Sequence, residues 1–566
     1  MLQRRCVVDN HTRCKTDITF CNALICAFLA SLFISGCQRL PAEWQVETVL
    51  TGVPVRGLHG VHGLTFGPDG DLYIGSIMGQ SIVRLNVETG ALSKVISAPL
   101  GEADDIAFGP DGSMAWTALN QGELRLQKPN GKILTVAKNL PFVNPVTFGP
   151  DGTLYAATLF GPDRLWAYDL EGDLSRVVAE NLGGLNAFTF GLDGALYTPL
   201  PQQQAVGKID VETGVLTVIV ENVGNIVAVK FHPDGSLYGV SWDDGVLTRI
   251  DTETGAVTKI ATVQPPLDNL AIDAAGVIYV SRSADNGIVS VNPTTGETHT
   301  VMRSDLAAPG GMAWVNRHGK RQLLVTDIFG YRFVDPDSGT AELLPFDLEG
   351  GASSDVAVQD GKIALTYVRR NRVLLVDENS GDVLQSWKDI DTPYGVVIEP
   401  EGSLLVASHT SGAIMRLRPG DPDRREVVLD GLPGPVGLVW AGALAEHGAK
   451  NRATLYISDA VANRVSELNV KTGVVKMIAD GLNRPEGITV LPDGRVAVAN
   501  VGDAQVVLID PMTGKKQMIA SDLAMGGLIS RTPEAVGMPT GILADTDSAI
   551  YLLTDANTGL MKLVPP

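Results

Sequence analysis

His62-Gly-Leu-Thr-Phe-Gly-Pro-Asp-Gly70 recurs almost unchanged as Asn144-Pro-Val-Thr-Phe-Gly-Pro-Asp-Gly152, and again as Glu486-Gly-Ile-Thr-Val-Leu-Pro-Asp-Gly494. Each copy runs a short apolar strand into a Pro-Asp-Gly turn. Proline presets the turn and glycine supplies its positive φ, so the phrase reads as a β-hairpin. A second strand, often opening Leu-Tyr, follows the turn, and a third ends in Thr-Gly. Related turns stand at Gly109-Pro-Asp-Gly112, Gly191-Leu-Asp-Gly194, His232-Pro-Asp-Gly235, Asp273-Ala-Ala-Gly276, Gln359-Asp-Gly361 and Glu399-Pro-Glu-Gly402, with less regular copies near Trp314, Trp440 and Ala544. The spacing is about 40–45 residues. With four short strands per unit, that period is the signature of propeller blades.

Twelve units exceed the usual ring of about four to eight blades, so the chain must be divided. The repeats open with a lone strand, Trp44 to Leu50, and end after a third strand, Leu560 to Val564. Cutting after the sixth unit gives Thr298–Arg303 the same lone role in the second half. Each half would then close by pairing its first strand with its last three, which leaves no raw sheet edge. The sequence therefore predicts an all-β chain of two six-bladed propellers, 44–298 and 299–566. One continuous ring and a seven-plus-five division are the other arrangements. The Tyr73, Tyr155, Tyr197, Tyr238 and Tyr279 series follows the same period and predicts packing between neighbouring blades.

The blades resemble the broad group that contains NHL repeats, the regucalcin/gluconolactonase family and the streptogramin-lyase-like proteins. Leu455-Tyr-Ile-Ser-Asp-Ala-Val-Ala-Asn-Arg-Val465 is the segment most similar to an NHL repeat. The resemblance covers nearly all of 44–566 and rests on blade-forming residues, so it implies fold more than activity.

The 566-residue chain carries a formal charge of -20, and its five cysteines (Cys6, Cys14, Cys21, Cys26 and Cys37) all lie at the N-terminus. A basic start (Arg4, Arg5, Arg13, Lys15) precedes an apolar run from Ile18 to Ile34, and Leu32-Phe-Ile-Ser-Gly-Cys37 closes it. Small residues before a cysteine mark a cleavage site rather than a membrane span; an uncleaved anchor is the alternative. The segment resembles a bacterial lipoprotein signal. That resemblance implies a signal peptide 1–36, lipid on Cys37, a linker 37–43 and a place in the cell envelope, with Gln38 compatible with outer-membrane sorting. Residues 38–566 contain no cysteine, which excludes a disulfide framework, a cysteine zinc site and a thiol nucleophile there. So acidic a chain repels nucleic acid and anionic headgroups. Its expected partners are a small molecule or an envelope protein or glycan, its membrane contact is through lipid alone, and it is expected to be a monomer.

In a propeller the innermost strand of each blade starts at the mouth of a central funnel. The funnel-mouth positions of the first half are His62, Asp104, Asn144, Asn186, Val227 and Asp268, with Asp105, Asn225 and Asn269 beside or near them. Polar groups converging on one axis need a partner. Two carboxylates about 6 Å apart repel by roughly 3 kcal/mol at an effective dielectric near 20, unless one is protonated or a cation intervenes. A divalent cation suits such oxygen donors and would make a bound water more acidic; ordered water alone is the other occupant. Resemblance to the gluconolactonase family implies Asn144, Asn186 and Asp268 as metal ligands, with Asp104 beside them. Ca²⁺ is the first expectation, with Mg²⁺ or Zn²⁺ as alternatives. That family has Glu-Gly-Pro in its opening blade, where this chain has His62-Gly63-Leu64, a poorer start for a Ca²⁺ site. His62 is the expected proton-transfer residue, and Arg282 is expected to bind an anionic substrate group or to pair with Asp268 or Asp285.

These features predict a metal-dependent lactonase- or esterase-like hydrolase site in the first propeller. The alternatives are a non-catalytic envelope binding or scaffold protein and, more weakly, a lyase. In the second half the equivalent positions are Gly310, Ser354, Tyr394, Val436, Glu486 and Thr540, which suits a binding or packing role, and Asp327 and Asp459 are expected to cap loops. Leu523–Met538 is a candidate lid or a plain loop, and Ala441–Ala453 a solvated insertion. No nucleophile elbow, phosphate loop, zinc-protease helix or dinucleotide fingerprint occurs in a fitting context.

Overall fold

The computed structural model describes residues 43–160, 163–170, 174–328, 330–344, 353–442, 444, 453–526 and 537–566. The expected signal peptide and Cys37 lie outside them, as do most of the 441–453 insertion and the middle of the 523–538 segment. Among the described residues, no helix is long and apolar enough to cross a membrane.

Successive side chains point to opposite faces of each short strand, and second strands such as Met114–Ala118 and Leu154–Thr158 are buried on both faces because the twelve four-stranded sheets stack on one another. Each Pro-Asp-Gly-type phrase is the turn between a sheet's innermost and second strands. In the first sheet, Gly70 at φ 81° ends that turn and its N–H donates to Gly67 O. Neighbouring sheets stack face to face, and the apolar core is divided among the gaps between them. Isoleucines 82 and 96 of the first sheet pack on Ile106 and Trp116 of the second. The same happens from second to third, third to fourth, fourth to fifth and fifth to sixth. Leu64 and Ile74 of the first sheet then pack on Ala271, Tyr279 and Ile288 of the sixth, closing the circuit. A second circuit runs from the seventh sheet to the twelfth. It closes where Met312 and Val325 of the seventh meet Tyr551 and Leu553 of the twelfth. The fold is thus an all-β tandem propeller.

The tyrosine series packs as expected. Tyr73, Tyr155 and Tyr197 meet Phe108, Phe190 and Phe231 of the next sheet edge to face, and Tyr279 meets Phe66 across the closure of the first circuit.

The expected boundary at 298/299 needs correction. Thr298–Met302 does not open the second half; it pairs with Gly287–Val291 and completes the sixth sheet. Gln45–Leu50 does not close the first half; it pairs antiparallel with Gly559–Val564 and completes the twelfth sheet. The cause is local. Asn292-Pro-Thr-Thr-Gly-Glu297 forms a tight hairpin in which Gly296 N–H donates to Asn292 O at 2.8 Å and the Asn292 side chain accepts from Thr294 and Thr295. A short loop closes at lower entropic cost than a long one, so the sixth sheet takes its own fourth strand. The twelfth takes Gln45–Leu50 as its fourth strand. The first circuit is therefore nested inside the second.

The chain crosses between circuits twice. On the way out, Val53 N–H and Gly57 N–H donate to Asn557 O and Ala556 O at 2.7 and 3.0 Å. On the way back, Ala307 N–H and Ala308 N–H donate to the Asp327 carboxylate at 2.9 and 2.6 Å. Arg332 donates to Asp327 at 3.1 Å and reaches back to Ala284 O of the sixth sheet. Asn286 takes the Gly60 N–H at 2.7 Å, and Met78, Ala307, Ala308, Ile328 and Met538 pack beside it. Asp327 thus caps its loop, as expected, and also ties the circuits together.

Candidate functional site

At the mouth of four inner strands of the first circuit the ladder skips two residues. The register shifts between Val61 and Leu64, between Ala103 and Ile106, between Val143 and Val146, and between Leu267 and Leu270. Such a bulge leaves two residues unpaired and re-aims their side chains. The unpaired residues are His62-Gly63, Asp104-Asp105, Asn144-Pro145 and Asp268-Asn269, which is why these side chains leave the sheets at the funnel. Gly63 is required there, because a Cβ would lie 2.6 Å from Asp104 O.

Three of the expected residues meet. His62 Nδ1 lies 3.1 Å from Asp268 Oδ1 and 3.4 Å from Asp104 Oδ1, an imidazole held between carboxylates of the sheets on either side. The alignment makes these ion-pair contacts rather than well-directed hydrogen bonds. Burial by itself would lower the basicity of His62, but the charges of Asp268 and Asp104 override it and raise its pKa to about 10. Burial pushes Asp104 up to about 7 despite the pull of His62. His62 is an imidazolium at neutral pH.

A second tier lies one residue further in. Asp105 accepts from Val146 N–H at 3.1 Å and, across the mouth of the first sheet, from the Asn269 amide at 3.0 Å. Burial raises the Asp105 pKa, opposed chiefly by the Lys230 charge.

The other expected site residues do not join the imidazole. Asn144 holds its place in the inner-strand row, where its backbone carbonyl accepts from Thr117. The side-chain oxygen of Asn186 is taken by the Ala187 N–H at 2.8 Å. Arg282 takes the pairing expected as the alternative to substrate binding: it lies 2.7 Å from Asp285 and donates to Gln264 at 2.8 Å.

The donor set does not fit the expected divalent cation. The two carboxylates already share a positive imidazole nitrogen, and Asn186 spends its oxygen on backbone. Among the described residues, no three His, Cys, Asp or Glu side chains gather to hold a metal. What the arrangement can do is move protons, because it sets a strongly basic imidazole beside a carboxylate whose pKa lies near neutrality.

Two further buried titratable groups lie away from this mouth. His59 is fully enclosed where the circuits meet, with Nδ1 3.1 Å from Ala307 O, and burial lowers its pKa to about 4. Asp355, the counterpart of Asp105 in the second circuit, could have been found by aligning the two halves repeat by repeat.

No protein-family model matches the chain, and no curated protein matches it in sequence. Solved structures are similar to it over part of its length. A virginiamycin B lyase from Staphylococcus aureus is 16% identical, with a TM-score of 0.36, over 57% of this chain and 96% of the lyase. A protein assigned as a gluconolactonase is 15% identical, with a TM-score of 0.37, over 47% of this chain and 94% of that one. A chain of a nidogen/laminin complex is 20% identical, with a TM-score of 0.35, over 38% of this chain and 85% of that one. The twelve four-stranded sheets stacked in two closed circuits are themselves what make the chain a tandem β-propeller.

Proposed function

We propose that the protein is an exported, lipid-tethered propeller whose first circuit binds a small neutral molecule at its funnel and hydrolyses an ester or lactone bond by proton transfer. The observation that carries this is His62, 12% exposed and held charged between Asp104 and Asp268. With Nδ1 facing the carboxylates, Nε2–H is left for a substrate oxygen. Ionised Asp104 takes a proton from water as the water oxygen bonds to the carbonyl carbon. The carbon–oxygen bond to the leaving group then breaks, and His62 protonates the departing oxygen. Asp104 then releases its proton to solvent and His62 Nε2 takes one up from solvent, which restores the site. No step passes through a metal. Elimination would use the same proton donor.

The test is a panel of lactones and esters followed by pH-stat. Turnover that needs Asp104 ionised and His62 protonated should rise near pH 7 and fall near pH 10. It should drop about a hundredfold or more in His62→Gln, within the range for general acid catalysis. Undiminished turnover in that variant would overturn the proposal. After chelator treatment, Ca²⁺, Mg²⁺, Mn²⁺ and Zn²⁺ should leave the melting temperature unchanged. A cation at a hundred times its Kd would instead add about 2.7 kcal/mol; such a gain, lost in Asp268→Ala, would favour the metal-held site. If no ester or lactone turns over, a binding or scaffold role stands in its place, and the junction that fixes the two circuits supports it. Tethering through Cys37 predicts palmitate labelling that vanishes in Cys37→Ala.

A further inference from the structure

The two circuits carry one aspartate in the same register, and its surroundings differ. Asp105 and Asp355 occupy equivalent places at the start of the inner strand of their circuit's second sheet, the first unpaired at a bulge and the second paired with Thr366, and each accepts the N–H of the next inner strand, from Val146 and Val396, at 3.1 Å. In the first circuit the acid is answered by the Asn269 amide and the Lys230 charge. The same positions in the second circuit are Gly541 and Thr489, so the amide and the ammonium are both missing.

A cavity stands where they would be. It holds about 340 Å³ and is lined by Asp355, Thr489 and Gly541 with aliphatic walls that include Val396, Leu438 and Ile488. Its volume is in the range of small-molecule sites, and apolar walls with a few convergent polar groups are their usual composition; Arg321 also lines it, but its charge is paired with Asp545 and its guanidinium lies over Trp314. One end is stopped: Tyr394, Glu486 and Thr540 are buried there, and Thr540 N–H donates to Glu486 at 2.8 Å. Among the described residues, Asp355 accepts only from the N–H groups of Val356 and Val396 and no cation is among the groups that act on it; burial drives its pKa up to about 7. A carboxylate has about four acceptor sites, so a ligand can still be received.

We infer that the channel of the second circuit is a binding site for a small apolar amine, whose ammonium pairs with Asp355 in the place that Lys230 serves in the first circuit. This site is separate from the His62 group and does not depend on it.

Isothermal titration calorimetry at pH 8 with 2-phenylethylamine, 2-phenylethanol and phenylacetate tests it, since the three differ mainly in charge. The amine is expected to bind at least tenfold more tightly than the alcohol, and phenylacetate more weakly than both. In Asp355→Asn, which keeps an acceptor for Val396, the preference for the amine should vanish while the alcohol binds as before. Thr489→Lys should supply the ammonium from the chain and block the amine. Equal binding of amine and alcohol, no binding of either at millimolar concentration, or an amine preference that survives Asp355→Asn would each overturn the inference. His62→Gln should leave all three affinities unchanged.

Discussion

The nesting of one circuit inside the other makes a sharp prediction at Leu50. This residue ends the N-terminal strand, is 2% exposed, and packs with Met312, Val325, Tyr551, Leu553 and Leu560 where the second circuit closes. Leu50→Ala removes buried methyl groups and leaves a cavity, at a cost of about 2–5 kcal/mol. The neighbours belong to four strands already fixed by their own ladders, so the site can collapse only partly and about 3 kcal/mol is the working figure. The N-terminal strand holds its place by five residue pairs to Gly559–Val564 and otherwise shows mostly exposed side chains. The loss should therefore appear first as opening of that edge. Hydrogen exchange reports such local opening, and about 3 kcal/mol corresponds to roughly a 150-fold loss of protection. Amides of 559–564 should exchange faster by about that factor, while those of 287–302 stay protected. Loss of protection at 287–302 would refute the strand assignment, because it would put the N-terminal strand against the sixth sheet. An unchanged profile at both places would refute the energetic reasoning.

Other consequences follow from the buried charges. Asp327→Ala strands Arg332, whose side chain is 4% exposed, and should cost about 3–5 kcal/mol, with calorimetry resolving separate transitions for the two circuits. Asp355→Asn should flatten the pH dependence of stability. The folded pKa of Asp355 is raised from 3.8 to about 7, so its contribution is present in full below pH 3.8 and lost as pH rises to 7. Three units set a ceiling of about 4 kcal/mol, and about 2 kcal/mol is expected because the cavity opens to water. The variant should therefore gain on the parent at pH 8 and not at pH 4, as measured by urea melts. His59 has the opposite sign for acid: its pKa falls to about 4, so the unfolded chain takes up its proton first and acid destabilises between pH 6.5 and 4. His59→Gln should remove that loss.

The blade repeat was open to inspection in the sequence because its turn chemistry repeats: proline and glycine at fixed offsets dictate the same hairpin wherever they occur. The partner of the first strand was not, because Trp44–Leu50 has the pattern of any outermost strand and suits either free edge. The deciding signal is the Asn292–Glu297 turn, which gives the sixth sheet a local fourth strand and leaves the twelfth open. At the funnel, His62, Asp104 and Asp268 could be found because inner-strand register is a sequence property. Which polar atoms touch is set by bulge geometry and side-chain rotation, so sequence could not exclude Asn144 and Asn186 from the cluster or commit Arg282 to Asp285.

The central claim is the charge on His62, and ¹⁵N NMR of histidine-labelled protein tests it most directly. At pH 8 both ring nitrogens of His62 should carry protons, the ring should titrate near pH 10, and Asp268→Asn should lower that midpoint. A neutral ring at pH 8, titrating near 6.5 as an ordinary histidine does, would contradict the account.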